Sequence, residues 1–173
     1  MALWALGLAI HSPAGRTLAA LLVAVAAIGA IGPSLAGADH DLDRAGAIAW
    51  PAWRTVHIFA SGAAIFGLLA ATALAGQRMT QVGQLARNVA GLAGLLALGA
   101  VLFGAAGAAL LPVLWIVPVL WWAPPLGEPP TRPAYRVMLT WMVQPVEARA
   151  ATVTAGVLAA VGITAYAAFG SRR

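Results

Sequence analysis

The chain has 173 residues, of which 62% are hydrophobic and only 9% are charged, and its mean hydropathy is +0.89. A water-soluble domain is closer to half apolar and a quarter charged, so the sequence leaves no room for a soluble catalytic domain. The net charge of +5 comes from ten Arg against five acidic residues. Because these Arg flank apolar runs, we expect lipid phosphate and not nucleic acid as their partner. Cysteine is absent, which excludes disulfides, thiolate metal sites and cysteine catalysis.

Apolar runs of about twenty residues, the length that crosses a bilayer, predict an all-α integral membrane protein. The first eleven residues, MALWALGLAIH, have neither a basic start nor a clear cleavage site. We therefore interpret residues 1–11 as an uncleaved interfacial segment. Ser12 and Pro13 are typical of a helix start, and the first span is predicted over residues 17–36.

The polar loop after the first span packs three carboxylates and an imidazole into five residues: Asp39, His40, Asp41 and Asp43. Oxygen ligands at alternating positions suit Ca²⁺, or Zn²⁺ together with the imidazole, which makes these four residues a candidate metal site. Their spacing does not fit an EF-hand loop. The alternative is a solvated loop that pairs with Arg44 and Arg54.

The second span is predicted over residues 55–76, and Trp50 and Trp53 before it match an interfacial aromatic belt. His57 lies about one turn inside this span, on nearly the same face as Arg54. An ionisable side chain within a span is a functional hypothesis, and imidazole is a common axial ligand of haem. His57, with Arg54 beside it, is therefore a candidate axial ligand of haem b or a chlorophyll-type pigment. The alternative is an interfacial histidine bonded to a carbonyl or a lipid headgroup.

The third span is predicted over residues 88–111, after a short polar connection. Apolar residues continue beyond it. We expect the helix to leave the membrane at Pro112 and residues 112–123 to continue as a Trp-rich interfacial segment. The alternative is a bundle of five spans, in which residues 104–107 form a turn.

A Pro-rich connector leads to residues 134–145. On a helical projection, one face of this segment holds Tyr135, Met138, Leu139 and Met142, whereas other faces hold Arg136, Thr140 and Gln144. This separation predicts a helix that lies in the membrane surface. The last span is predicted over residues 151–169.

The Trp and Met residues of the interfacial segments are predicted to contact lipid or a partner subunit: Trp115, Trp121, Trp122, Met138, Trp141 and Met142. A quinone or lipid headgroup site between the surface helix and these Trp is the alternative. Four spans place both termini on one side. Each side then holds five Arg, and all five acidic residues lie opposite the termini, which is the only basis for expecting cytoplasmic termini. Six of the seven Trp then lie near the opposite side.

No acidic residue lies inside a predicted span, and no catalytic triad, phosphate loop or metalloprotease motif is present. We therefore interpret residues 1–173 as one transmembrane domain of four spans with one or two interfacial helices. Its expected function is that of a non-catalytic accessory subunit in a respiratory or photosynthetic membrane complex. Expected partners are the lipid bilayer and other membrane subunits, in the cytoplasmic membrane of a bacterium or archaeon. The alternatives are a tetrapyrrole protein that uses His57 and a small transporter, although the scarcity of polar residues in the spans argues against transport.

Overall fold

The computed structural model describes residues 13–36, 50–74, 81–122 and 133–172. Within these ranges the chain is helical and has no β-strand. The predicted interfacial segment 1–11 and the candidate metal ligands Asp39, His40, Asp41 and Asp43 lie outside the described residues. The elements in chain order are α1 Pro13–Gly29, a 3-10 helix Gly32–Leu35, α2 Trp50–Leu74, α3 Val82–Gly107, α4 Leu110–Leu114, α5 Ile116–Trp122, α6 Ala134–Leu139, a second 3-10 helix Trp141–Val143, and α7 Arg149–Phe169.

Four helices of the described chain are long and apolar enough to cross a membrane: α1 with its 3-10 extension, α2, α3 and α7. The prediction of an all-helical chain with four such helices is confirmed, and it fits a multi-pass membrane protein. All four helices begin earlier than the predicted spans, and the difference is largest for α2 and α3. The helix α2 begins at Trp50 and α3 at Val82, because the aromatic and polar residues that precede each apolar run also adopt helical backbone.

The central helix is α3, in which 14 of the 26 residues are buried. It touches α7 backbone to backbone. A Cβ atom at Gly94 would overlap the carbonyl group of Leu158, and a Cβ atom at Gly162 would overlap the carbonyl group of Gly94. Small residues allow this approach where lipid provides no hydrophobic driving force between helices. Gly94 and Gly162 therefore lie at the closest contact between α3 and α7.

The helices α3 and α7 run in the same direction. Gly83 lies beside Val146 where both helices begin, with 3.4 Å between the position of a Cβ at Gly83 and Val146 Cγ1. Beyond the end of α7, the backbone N–H of Arg172 donates to the carbonyl of Ala100 over 2.8 Å. The end of α3 and the start of α7 therefore lie at opposite ends of the bundle. The chain that connects them must return along the length of the bundle.

The return begins at Gly104, which is buried and has φ 79° and ψ 171°. Only glycine adopts this left-handed backbone without strain. The chain then turns back so closely that a Cβ atom at Gly99 would overlap the carbonyl group of Ala108. This is the turn that the five-span alternative placed at residues 104–107.

The helices α4 and α5 run back from this turn. Residues 112–123 were expected to leave the bundle at Pro112, and the structure differs, since Pro112 and Val119 are buried. The returning apolar segment, Leu110–Trp122, rises about 20 Å at 1.5 Å per residue. That length is shorter than the roughly 30 Å of a hydrocarbon core, so the segment enters the bundle without reaching the length of a full span.

The two ends of the bundle are named here by their arginines. The Arg87 end holds the first turns of α3 and α7. The Arg54 end holds the first turn of α2 and the last turn of α7, because Arg54 contacts Gly170 just after α7. The 3-10 extension of α1 also lies at the Arg54 end, where the Tyr166 hydroxyl donates to the carbonyl of Leu35 over 3.0 Å.

This arrangement separates the first and last described residues. The helix α1 starts at Pro13 toward the Arg87 end, whereas Arg172 lies at the Arg54 end, because the reversal at Gly104 adds a return passage. The placement of both termini on one side of a membrane stays a prediction. The Trp residues are divided in the same way. Trp50 and Trp53 begin α2 at the Arg54 end and the two Trp that finish α5 lie toward the Arg87 end, so each end has its own aromatic residues.

Candidate functional site

A cluster of buried polar side chains lies at the Arg87 end. Gln84, Arg87 and Asn88 share one face of α3, and Arg87 and Asn88 are each only 8% exposed. Asn88 Nδ2 and Gln84 Nε2 both donate to the carbonyl of Met142, over 2.8 and 3.1 Å. The polar face of α3 therefore holds the backbone of the segment that connects α6 to α7.

Arg87 makes the strongest of these contacts. Its guanidinium donates to the carbonyl of Gln144 over 2.6 Å and to that of Pro145 over 3.0 Å. Its Nε and the Asn88 Oδ1 atom have no partner among the described residues. Non-helical backbone is tolerated at membrane depth only where protein groups or water satisfy it. Arg87 provides those groups for this turn.

The turn begins where α6 ends, at Leu139. Thr140 leaves the helical backbone (φ −103°, ψ 24°), and its hydroxyl donates to the carbonyl of Arg136 over 2.7 Å. Gln144 Nε2 then donates to the Thr140 hydroxyl over 2.7 Å. The surface helix predicted over residues 134–145 is thus wrong in length. Thr140 and Gln144, which were placed on faces away from its apolar one, are buried, because they bond to each other and to backbone.

Two of the predicted interface residues belong to the core. Trp141 is 0% exposed and Met142 is 1% exposed. The Trp141 indole lies on Gly91, where a Cβ atom would overlap its ring. Met138 remains on the outside, at 43% exposed. The assignment of Trp141 and Met142 to a lipid or subunit interface is therefore wrong, because the helical period used to place them ends at Thr140.

The other predicted interface residues divide in a similar manner. Trp115 is half-buried, and its Nε1 donates to the carbonyl of Leu139 over 3.1 Å. Trp121 and Trp122 are exposed. Trp115 thus fixes the end of α6 against the return segment, while Trp121, Trp122 and Met138 remain available to lipid or a partner.

His57 is half-buried on α2 and faces α1. Its Nε2 lies 3.1 Å from the Ser34 hydroxyl, whose oxygen is 2.7 Å from the carbonyl of Ile31. The serine has one proton, and when it donates to Ile31 its oxygen accepts from His57 Nε2–H. A metal at this nitrogen would have to replace that bond. The tetrapyrrole hypothesis remains a prediction, and the hydrogen-bonded histidine is the arrangement that the structure contains.

Arg54, which was predicted beside His57, contacts the backbone at the end of α7. Its guanidinium carbon lies 2.8 Å from the position that a Cβ would take at Gly170, which has φ 72°. Arg54 therefore lies flat on the backbone where α7 ends, a favourable position for a cation next to helix carbonyls. Among the residues that the structure describes, no three His, Asp or Glu side chains are grouped as a metal site.

An apolar groove runs between α2, α3 and α7. Its volume is about 610 Å³, which is within the range of ligand sites in proteins. Among the described residues that line it, Thr55 and Thr164 are the polar ones, and the Thr55 hydroxyl donates to the carbonyl of Pro51 over 2.8 Å. The remaining lining residues are Ile58, Phe59, Gly62, Ala63, Phe66, Ala86, Val89, Ala90, Ala93, Ala159, Ala160, Ile163 and Ala167.

The geometry thus defines a helical bundle of the multi-pass membrane type, with an internal polar anchor at one end and an open apolar groove along one flank. No protein-family model, curated protein or solved structure matches the chain.

Proposed function

We propose that this chain is a non-catalytic accessory subunit of a larger membrane complex. The observation that carries the proposal is the incomplete packing of α2. Only 11% of the residues in its membrane-length window are buried by the rest of the chain, against 17% in α7, 33% in α1 and 61% in α3. A long helix that its own bundle covers so little is suited to contact other helices.

The outward face of α2 has the composition of a helix contact. Ala60, Ala64, Gly67 and Ala71 recur at one-turn spacing and are all exposed, and nothing lies within 4 Å of the position of a Cβ at Gly67. Small residues at this spacing let a second helix approach closely in a membrane.

The chemistry of the described residues also supports an accessory role. The buried polar cluster donates to backbone carbonyls and contains no nucleophile with an adjacent base. Among the described residues the one acidic side chain is Glu147, which is exposed. We infer an electron-transport complex, respiratory or photosynthetic, in the cytoplasmic membrane of a bacterium or archaeon, because such an assembly would supply the chemistry that this subunit lacks.

The test is extraction of the tagged chain in a mild detergent, followed by size measurement and identification of its partners. We expect a particle far larger than the 17.5 kDa chain that includes redox subunits. Gly67→Leu on the outward face of α2 should reduce the recovered partners about tenfold, a loss of about 1.4 kcal/mol.

Gly156→Leu on α7 is the matched control, since nothing lies within 4 Å of the position of its Cβ either. Both substitutions are therefore accommodated by the chain itself. Recovery of the wild-type chain alone, or equal partner yields from both variants, would contradict the proposal. Partners without redox centres would retain the accessory role and remove its assignment to electron transport.

A further inference from the structure

We propose that the buried polar cluster on α3 binds one water molecule, which accepts hydrogen bonds from Arg87 and Trp141 and donates one to Asn88. The site lies between α3 and the turn that connects α6 to α7. The inference does not depend on the accessory role, since it concerns how the interior of the bundle is completed.

Three buried polar atoms in this cluster have no hydrogen-bond partner among the described residues: Arg87 Nε, Asn88 Oδ1 and Trp141 Nε1. Arg87 and Asn88 are each 8% exposed and Trp141 is 0% exposed, so bulk solvent does not reach these atoms. Buried polar groups in folded proteins are almost always paired with protein groups or with ordered water. A molecule that pairs with these atoms is therefore expected at this place.

Contacts hold the three side chains at the same turn. The Asn88 amide donates to the carbonyl of Met142, the residue after Trp141. The Trp141 ring lies on Gly91, one helical turn from Asn88 on the same face of α3. Arg87 donates to two further carbonyls of the turn. The three unpartnered atoms thus belong to side chains that all pack between α3 and this turn.

The orientation of the Asn88 amide is fixed by its partner. The carbonyl of Met142 accepts only, so the amide nitrogen must face it and Oδ1 must point to another group. Oδ1 requires a donor, whereas the indole N–H of Trp141 and the Nε–H of Arg87 each require an acceptor. The unpartnered set therefore consists of two donors and one acceptor.

This set discriminates between small ligands. An anion such as chloride would satisfy the two N–H groups and be repelled by the Asn88 oxygen. A cation would suit that oxygen and be repelled by the Arg87 guanidinium. Water both accepts and donates, and a buried water molecule typically makes about three hydrogen bonds. One water molecule therefore matches the whole set.

The test is nuclear magnetic resonance of the isotope-labelled full-length protein in detergent micelles. The indole N–H signal of Trp141 is identified by its loss in Trp141→Phe. We expect a cross-peak between this proton and water in a rotating-frame Overhauser experiment, with the sign that proximity produces and chemical exchange does not. The indole of Trp115 is the matched control, because its N–H donates to the carbonyl of Leu139, and it should show no such cross-peak.

Three substitutions test the partners of the water. Asn88→Leu removes the acceptor and should abolish the cross-peak. Gln84→Leu removes the other donor to the carbonyl of Met142 and leaves all three proposed contacts, so the cross-peak should remain. Thr140→Val should also retain it, which shows that the neighbouring hydroxyl does not relay the signal. An unchanged Trp115 signal shows that each variant keeps the turn folded.

Absence of the cross-peak in the wild-type chain would overturn the proposal, and so would a cross-peak of equal intensity at Trp115. Its persistence in Asn88→Leu, or its loss in Gln84→Leu or Thr140→Val, would do the same.

Discussion

The two neighbours of α3 make opposite kinds of contact with it. The helix α7 touches α3 backbone to backbone through Gly94 and Gly162, so that neither position has space for a single added carbon. The helix α2 also contacts both α3 and α7, but a groove of about 610 Å³ separates it from them along part of its length. The first contact specifies the fold because it tolerates no other residue. The second leaves a surface that other molecules are able to use, and substitutions there should affect binding before they affect folding.

The largest difference is expected between a glycine substitution in the contact of α3 with α7 and one on the exposed face of α2. Gly94→Leu forces α3 and α7 apart, because its side chain would occupy the space of the Leu158 carbonyl. We expect a loss of about 3 kcal/mol or more in the free energy of unfolding, measured by denaturant titration in detergent. Gly67→Leu on α2 meets open space and should leave the stability of the isolated chain nearly unchanged. Equal losses would show that the Gly94 contact is not specific.

The buried polar cluster of Gln84, Arg87 and Asn88 should contribute nearly as much to the free energy of unfolding. Arg87→Met removes the donors to Gln144 and Pro145 while the length of the side chain is roughly retained. Hydrogen bonds from charged groups contribute about 1.5 to 3 kcal/mol each, so we expect a loss of about 3 kcal/mol by the same titration. Arg136→Met, on the half-buried side of α6, serves as the control and should cost less than about 1 kcal/mol.

A third pair of variants distinguishes the turn at Thr140 from a continuous surface helix over residues 134–145. Thr140→Asp places a carboxylate where the side chain is fully buried, and Met138→Asp places it where the side chain is 43% exposed. We expect Thr140→Asp to be the more destabilising by about 2 kcal/mol. The surface-helix prediction required the reverse order. Unfolding curves of the two variants in the same detergent decide between them.

The smallest expected effect concerns the contact of α1 with α2. Ser34→Ala removes the hydrogen bond to His57 and should cost about 1 kcal/mol. His57→Ala should cost about the same, and the double variant should cost no more than either single variant, which a double-mutant cycle measures. The visible absorption spectrum of the purified chain addresses the tetrapyrrole hypothesis separately. A Soret-type band that disappears in His57→Ala would establish it.

The long helices were predictable because a bilayer-length apolar run is a local property of the sequence. The chain reversal at Gly104 was harder to predict, because Gly104 lies among Ala and Gly residues and no polar residue marks the turn. The anchor was missed for a different reason. The partners of Gln84, Arg87 and Asn88 are carbonyls more than fifty residues away, and backbone carbonyls have no signature in a sequence. Thr140 and Gln144 were misplaced because a helical period was extended beyond the end of its helix.

The parallel contact of α3 and α7 has a consequence for biosynthesis. Gly162 follows Gly94 by about 70 residues, which a ribosome adds in roughly 3 to 14 seconds at 5 to 20 residues per second. During that interval the central helix has been made and its closest neighbour has not. The face of α3 that holds Gly94 therefore lacks its partner until translation is nearly finished. Nascent chains that stop before α7 should be the form that membrane proteases remove.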